Sequence, residues 1–148
     1  MAPECFVTGK ASKESDVYSF GVVALEIACG RKPIDHTAQE DKILLVKWVW
    51  ELYGMGTLLD AVDPHLGSSF EEEEIKCLMT VGLWCCHPNP VRRPSIKQVI
   101  QILNFEASLP TLPTKMPMAL SRASYMTKKH HRAVKFDAVS VEHLEAYS

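Results

Sequence analysis

The chain has 148 residues, 47% of them hydrophobic, which suits one small domain and an appendage. Its formal net charge of −2 divides into −5 over residues 1–106 and +3 over residues 107–148, too weak in either part to point to nucleic acid. Five cysteines (Cys5, Cys29, Cys77, Cys85 and Cys86) are odd in number and lack a framework spacing, which excludes a disulfide scaffold and favours a reducing, cytosolic compartment.

Residues 1–14 read as loop, punctuated by Pro3 and Gly9, and residues 1–15 have no continuous apolar run of the kind a secretory signal needs. Ser15 stands where a helix cap is expected, and Asp16 follows in the first turn, where a carboxylate suits the positive helix end. This helix is predicted to reach Cys29, where Gly30 and Pro33 stop it. Its apolar residues surround the whole circumference, so it should be the core and need neighbours on nearly all sides. The run from Phe20 to Cys29 is interrupted by Glu26 and is about half of the ~20 residues a membrane span needs, so no span is expected in this chain.

A second helix is predicted from about Lys42 to Tyr53, ended by Gly54-Met55-Gly56, and a short helix or turn precedes Pro64. Ser69-x-x-Glu72 reads as a capping box opening a third helix, with Glu71 to Glu74 in its first turn and Pro88 and Pro90 beyond its end. A second capping box, Ser95-x-x-Gln98, opens a fourth helix with a stripe of Ile96, Val99, Ile100 and Leu103. Periodicity fails beyond Phe105, where Pro110, Pro113 and Pro117 alternate with Ser, Thr and Met. Residues 107–148 are therefore expected to be a mostly disordered tail, with a transient turn at Val139–Ala146, following a helical unit at 1–106. The fold class is all-α, about four helices around the one that starts near Ser15.

Three ordered motifs now stand out: Ala2-Pro3-Glu4, then Asp16-Val17-Tyr18-Ser19-Phe20-Gly21, then Arg93-Pro94. Together they resemble the carboxy-terminal lobe of a eukaryotic protein kinase. The run through Glu26-Ile27-Ala28-Cys29-Gly30-Arg31-Lys32-Pro33 is especially similar to the plant L-type lectin-domain receptor-like Ser/Thr kinases. The resemblance implies that Glu4 pairs with Arg93, tying the substrate loop to the base of the lobe; without it, both would pass for solvated surface charges. It also likens Asp16 to a family aspartate that accepts backbone N–H groups from the catalytic loop, although a purely local role at the helix start accounts for Asp16 here.

Members of that family transfer the ATP γ-phosphate with Mg²⁺, using a Gly-rich cover, a phosphate-binding Lys, an Asp on the hydroxyl and an Asp on the metal. None of these motifs occurs in the 148 residues, and Gly54-x-Gly56 follows a helix rather than cradling a phosphate. The expectation is a chain with no catalytic, cofactor or metal site of its own, belonging to a parent kinase that uses ATP and Mg²⁺. Such a parent would act on protein Ser/Thr partners at the cytoplasmic side of a plasma membrane. Family members tend to carry Met before Ala-Pro-Glu, so Met1 is expected to be an internal methionine of a longer kinase. The rival expectation is a short non-catalytic binding module or decoy for kinase partners. In either case some neighbours of the helix from Ser15 to Cys29 are missing, and part of its surface is expected to stay in water.

Cys85-Cys86-His87 invites a metal reading. However, adjacent helical residues point about 100° apart and no second Cys/His pair follows, so these are read as structural thiols. Trp48 and Trp50 suit a core-and-rim helix better than a docking surface. Lys128-Lys129-His130-His131-Arg132 is read as solvated tail in preference to a contact with anionic lipid.

Overall fold

Pro3 in the first turn and the left-handed Gly9 at the end bracket a helix that sequence periodicity does not announce, α1 (Pro3–Thr8). The computed structural model describes residues 1–118. Among them it has five α-helices and no strand, only an isolated antiparallel bridge between Ile34 and Leu44. The expected loop at residues 1–14 is therefore partly helical, because a proline-led first turn and a glycine cap suffice for six residues.

Helix α2 (Lys13–Cys29) begins earlier than Ser15 suggests. Ser12 is the cap: the Ser15 amide donates to Ser12 Oγ at 3.1 Å, and the Ser12 amide donates to Ser15 Oγ at 2.8 Å. This reciprocal box satisfies two otherwise orphaned donors, and Ser15 becomes its inner, buried half. One side of α2 is covered, with Leu25 and Ala28 fully buried, whereas Val23 and Ile27 remain 50% and 66% exposed.

Helix α3 (Leu45–Gly54) starts three residues later than Lys42, since Leu44 is extended in its bridge to Ile34 and Glu40–Lys42 form a separate 3-10 turn. Helix α4 (Glu72–Cys85) has Glu71 at its cap position with no side-chain hydrogen bond. The expected Ser69 box does not form: Ser69 lies in a turn whose amide donates back to the Leu66 carbonyl. Glu72, Glu73 and Glu74 still face the positive end of α4, which supplies the electrostatic part of a cap. Helix α5 (Ile96–Leu103) has the expected Ser95–Gln98 box, with donor–acceptor distances of 3.3 and 2.9 Å.

α2 and α4 are the main packed pair, and glycine lets them approach. A Cβ at Gly21 would lie 2.6 Å from both Cys85 Cβ and the Gly82 carbonyl oxygen, while Gly82 itself faces Leu25. Around this crossing one apolar cluster joins Leu25, Leu45, Trp50, Met79 and Leu83, and a second joins Val17, Val81, Val99 and Ile102. No helix among the described residues is long and apolar enough to cross a membrane.

The tail reading needs correction at its start. Leu112 is buried in the first cluster, Met116 packs against the same cluster, and the compact unit runs to Met118 rather than ending at residue 106. The prolines broke the helical period without preventing burial, because an extended segment can satisfy its backbone through side chains of α3. The basic run at Lys128–Arg132 and the turn expected at Val139–Ala146 lie outside the described residues.

Candidate functional site

Glu4 lies in the first turn of α1, and Arg93 follows a 3-10 turn at Pro90–Arg92 that Asn89 caps through its side chain. The turn is fixed from α4, where the Trp84 indole N–H donates to the Arg92 carbonyl at 2.9 Å. This places the Arg93 guanidinium, with no side-chain exposure, against a Glu4 carboxylate that is 12% exposed. Nη1 donates to Oε1 and Nη2 donates to Oε2 at 2.9 Å, the forked pairing that a planar guanidinium permits and an ammonium does not.

The remaining donors bind the surrounding backbone. Nη1 also donates to the Glu14 carbonyl at 2.9 Å, and Nε donates to the His87 carbonyl at 2.9 Å. The guanidinium carbon lies 4.8 Å from the centroid of the Tyr18 ring, within cation–π range. One side chain thus connects α1, the first turn and second turn of α2, and the loop between α4 and α5. A buried charge with so many partners holds segments in register, and its loss leaves an uncompensated carboxylate.

The electrostatics follow from this enclosure. Burial pushes the Glu4 carboxyl up, but the Arg93 hydrogen bond, the α1 backbone and the Arg93 charge outweigh it and hold the group below its ordinary value. Burial raises the Tyr18 phenol to about 12, with the Cys86 thiol adding to the rise and Arg93 opposing it. Burial also pulls the His87 imidazole below its ordinary value, and the nearby charges of Arg92 and Arg93 add to that. His87 Nδ1 accepts the Asn89 amide at 3.0 Å, a geometry that suits the neutral ring.

Asp16 is not drawn into this group. It is exposed in the first turn of α2, and its side chain has no hydrogen-bond partner among the described residues. Cys85 and Cys86 are fully buried, and burial raises the Cys85 thiol to about 12 and pushes Cys86 up as well. Neither joins a cluster of metal-ligating side chains, and no group of three or more His, Cys, Asp or Glu placed to hold a metal occurs among the described residues. Trp50 is a core residue, whereas Trp48 lies partly exposed beneath the Arg31 guanidinium at 4.5 Å.

Sequence reasoning missed Ser12, Glu14, Tyr18 and His87 as parts of the arrangement. Ser12-x-x-Ser15 is a legible capping pattern, but Glu14 and His87 act through carbonyl oxygens, which no side-chain pattern reveals.

A model for the protein tyrosine and serine/threonine kinase family matches residues 1–103. The chain is 48% identical over 149 residues to the L-type lectin-domain containing receptor kinase IX.2 of Arabidopsis thaliana, covering 95% of this chain and 22% of that protein. It is 55% identical over 127 residues to receptor kinase IX.1 of the same plant, covering 84% of this chain and 20% of that one. The chain thus spans about a fifth of the length of these relatives. Among solved structures it is similar to the pseudokinase domain of BIR2, an immune regulator of the RLK/Pelle family. That likeness has a TM-score of 0.59 and 32% identity, and covers 71% of this chain and 31% of that one. The chain belongs to the protein tyrosine and serine/threonine kinase family, carries the helical carboxy-terminal part of that domain from Ala2-Pro3-Glu4 onward, and is related to the plant L-type lectin-domain receptor kinases.

Proposed function

We propose that these residues form the substrate-side base of a receptor-like Ser/Thr kinase, whose whole domain moves the ATP γ-phosphate to protein hydroxyls at the cytoplasmic face of a plasma membrane. The observation that carries this reading is the enclosed Glu4–Arg93 pair, which fastens the Ala-Pro-Glu segment to α2 and to the loop before α5. In this reading Glu4 and Arg93 are structural residues, and Asp16 contributes at the start of α2. The residues present do not fit ATP or Mg²⁺. No Gly-rich cover, His-Arg-Asp or Asp-Phe-Gly occurs in the sequence, and the described carboxylates form no metal-holding group. No step of phosphoryl transfer is therefore assigned to this chain.

The 148 residues alone should give only background transfer from labelled ATP with Mg²⁺ and a generic protein substrate. Turnover that persists through repurification, or a micromolar nucleotide titration, would overturn the reading. A second reading, a non-catalytic binding module for kinase partners, is favoured by the uncovered apolar side chains of Val23 and Ile27 on α2. Retrieval of a defined kinase by the intact chain, lost on Val23→Ser with Ile27→Ser, would favour this second reading.

A further inference from the structure

The segment Leu109-Pro110-Thr111-Leu112-Pro113-Thr114 lies beyond the residues that the kinase family model matches, yet it is seated on α3 by specific bonds. The Trp50 indole N–H donates to the Pro113 carbonyl at 2.8 Å, and the Leu112 amide donates to the Tyr53 hydroxyl at 3.0 Å. Leu112 is the anchor, only 6% exposed, while Thr111, Pro113 and Thr114 face water. Gly54 completes the seat: the Thr114 carbonyl passes so close that a Cβ at Gly54 would collide with it.

These are the elements of proline-segment recognition. Two aromatic side chains read main-chain groups, one apolar side chain fills a pocket, and the prolines of Pro110-x-x-Pro113 limit the conformational freedom lost on docking. Nothing in this arrangement requires the segment to come from the same chain, since the groove bonds two main-chain groups and a single leucine. We propose that the Trp50–Tyr53–Gly54 face of α3 is a recognition site for a Leu-Pro-Thr-Leu-Pro segment, occupied in cis by residues 109–113 and able to take the same segment from a second copy of this chain. Exchange of the segment between copies would use the bonds already present and add no new contact.

The test is capture of a fluorescent peptide with the sequence of residues 107–118 by full-length chains, read as anisotropy. Leu112→Asp unseats the resident segment but leaves the groove intact, and should bind the peptide at least tenfold more tightly than the unsubstituted chain. Adding Gly54→Ala to Leu112→Asp blocks the groove and should abolish capture, although alanine favours the helix itself. If Leu112→Asp is not helical by circular dichroism, Leu112→Ala takes its place with the same expected order. A peptide with Asp at the position of Leu112 should fail throughout. Equal binding to the substituted and unsubstituted chains, no binding to a folded Leu112 variant, or capture unaffected by Gly54→Ala would each overturn the proposal. Amide exchange gives an independent reading: the Leu112 N–H should be protected in the unsubstituted chain and lose protection in Tyr53→Phe, and free exchange in the unsubstituted chain would also overturn it.

Discussion

Arg93 shows how burial changes the value of a charge. An exposed ion pair contributes about 0–1 kcal/mol, but removing one partner of a buried pair costs about 3–5 kcal/mol because the other is stranded. Arg93→Ala should therefore destabilise the chain by about 3–5 kcal/mol in urea unfolding. Arg92→Ala, at an exposed neighbour, should cost less than about 1 kcal/mol, and equal losses would contradict the enclosed pairing. The same site sets a pH dependence. His87 titrates in the folded chain below its ordinary 6.5, so the unfolded chain binds more protons there and stability falls as pH drops below that value. Glu4 titrates below its ordinary 4.5, so its contribution is fully present above 4.5 and is lost as pH falls through the lowered folded value. Denaturation midpoints measured from pH 7.5 downward should decline in two stages. His87→Asn should remove the upper stage, and Glu4→Gln should shrink the lower one, to which the Asp35 and Asp63 carboxyls, also held below their ordinary value by hydrogen bonds, contribute; a flat profile would contradict both assignments.

At the scale of elements, the packing of α2 on α4 depends on the absence of side chains at Gly21 and Gly82. Gly21→Ala would gain up to about 1 kcal/mol of helix propensity. The added carbon, however, would meet Cys85 Cβ and the Gly82 carbonyl oxygen at 2.6 Å, both on a packed helix with little room to move. Overpacking of this kind costs about 1–3 kcal/mol, so the substitution should lower the urea midpoint despite the propensity gain. An unchanged or raised midpoint would show that the two helices can separate without cost.

The whole molecule is covered unevenly. Val23 and Ile27 on α2 and Ile96 and Ile100 on α5 are each at least half exposed, although both helices bury or partly bury their other apolar side chains. Each fully buried aliphatic residue is worth about 1.5–3 kcal/mol against a typical domain stability of about 5–15 kcal/mol, so leaving several in water weakens the fold and invites association. The 148-residue chain should bind a hydrophobic dye and sediment as larger species at higher concentration. Val23→Ser with Ile27→Ser should reduce both signals. A dye-negative monomer with a sharp thermal transition would instead mark a self-sufficient domain.

Periodicity and end signals alone determined the main helices: glycine and proline stops, the Ser95–Gln98 box and the apolar content of α2 are local, and local rules read them. Ser12 falls within the same rules and is passed over in the sequence because Ser15, its partner in the box, also has a capping side chain. The pairing of Glu4 with Arg93 was legible only through resemblance, since no local rule connects residues so far apart in the chain. Tertiary structure alone decided three features. The carbonyls of Glu14 and His87 complete the Arg93 site because folding brings backbone from the first turn of α2 and from the loop after α4 to one guanidinium. Val23 and Ile27 stay in water because α3 and α4 pack on the other side of α2. Leu112 joins the core, with Met116 packed against it, because Trp50 and Tyr53 supply the hydrogen-bond partners that a proline-broken segment cannot find within itself.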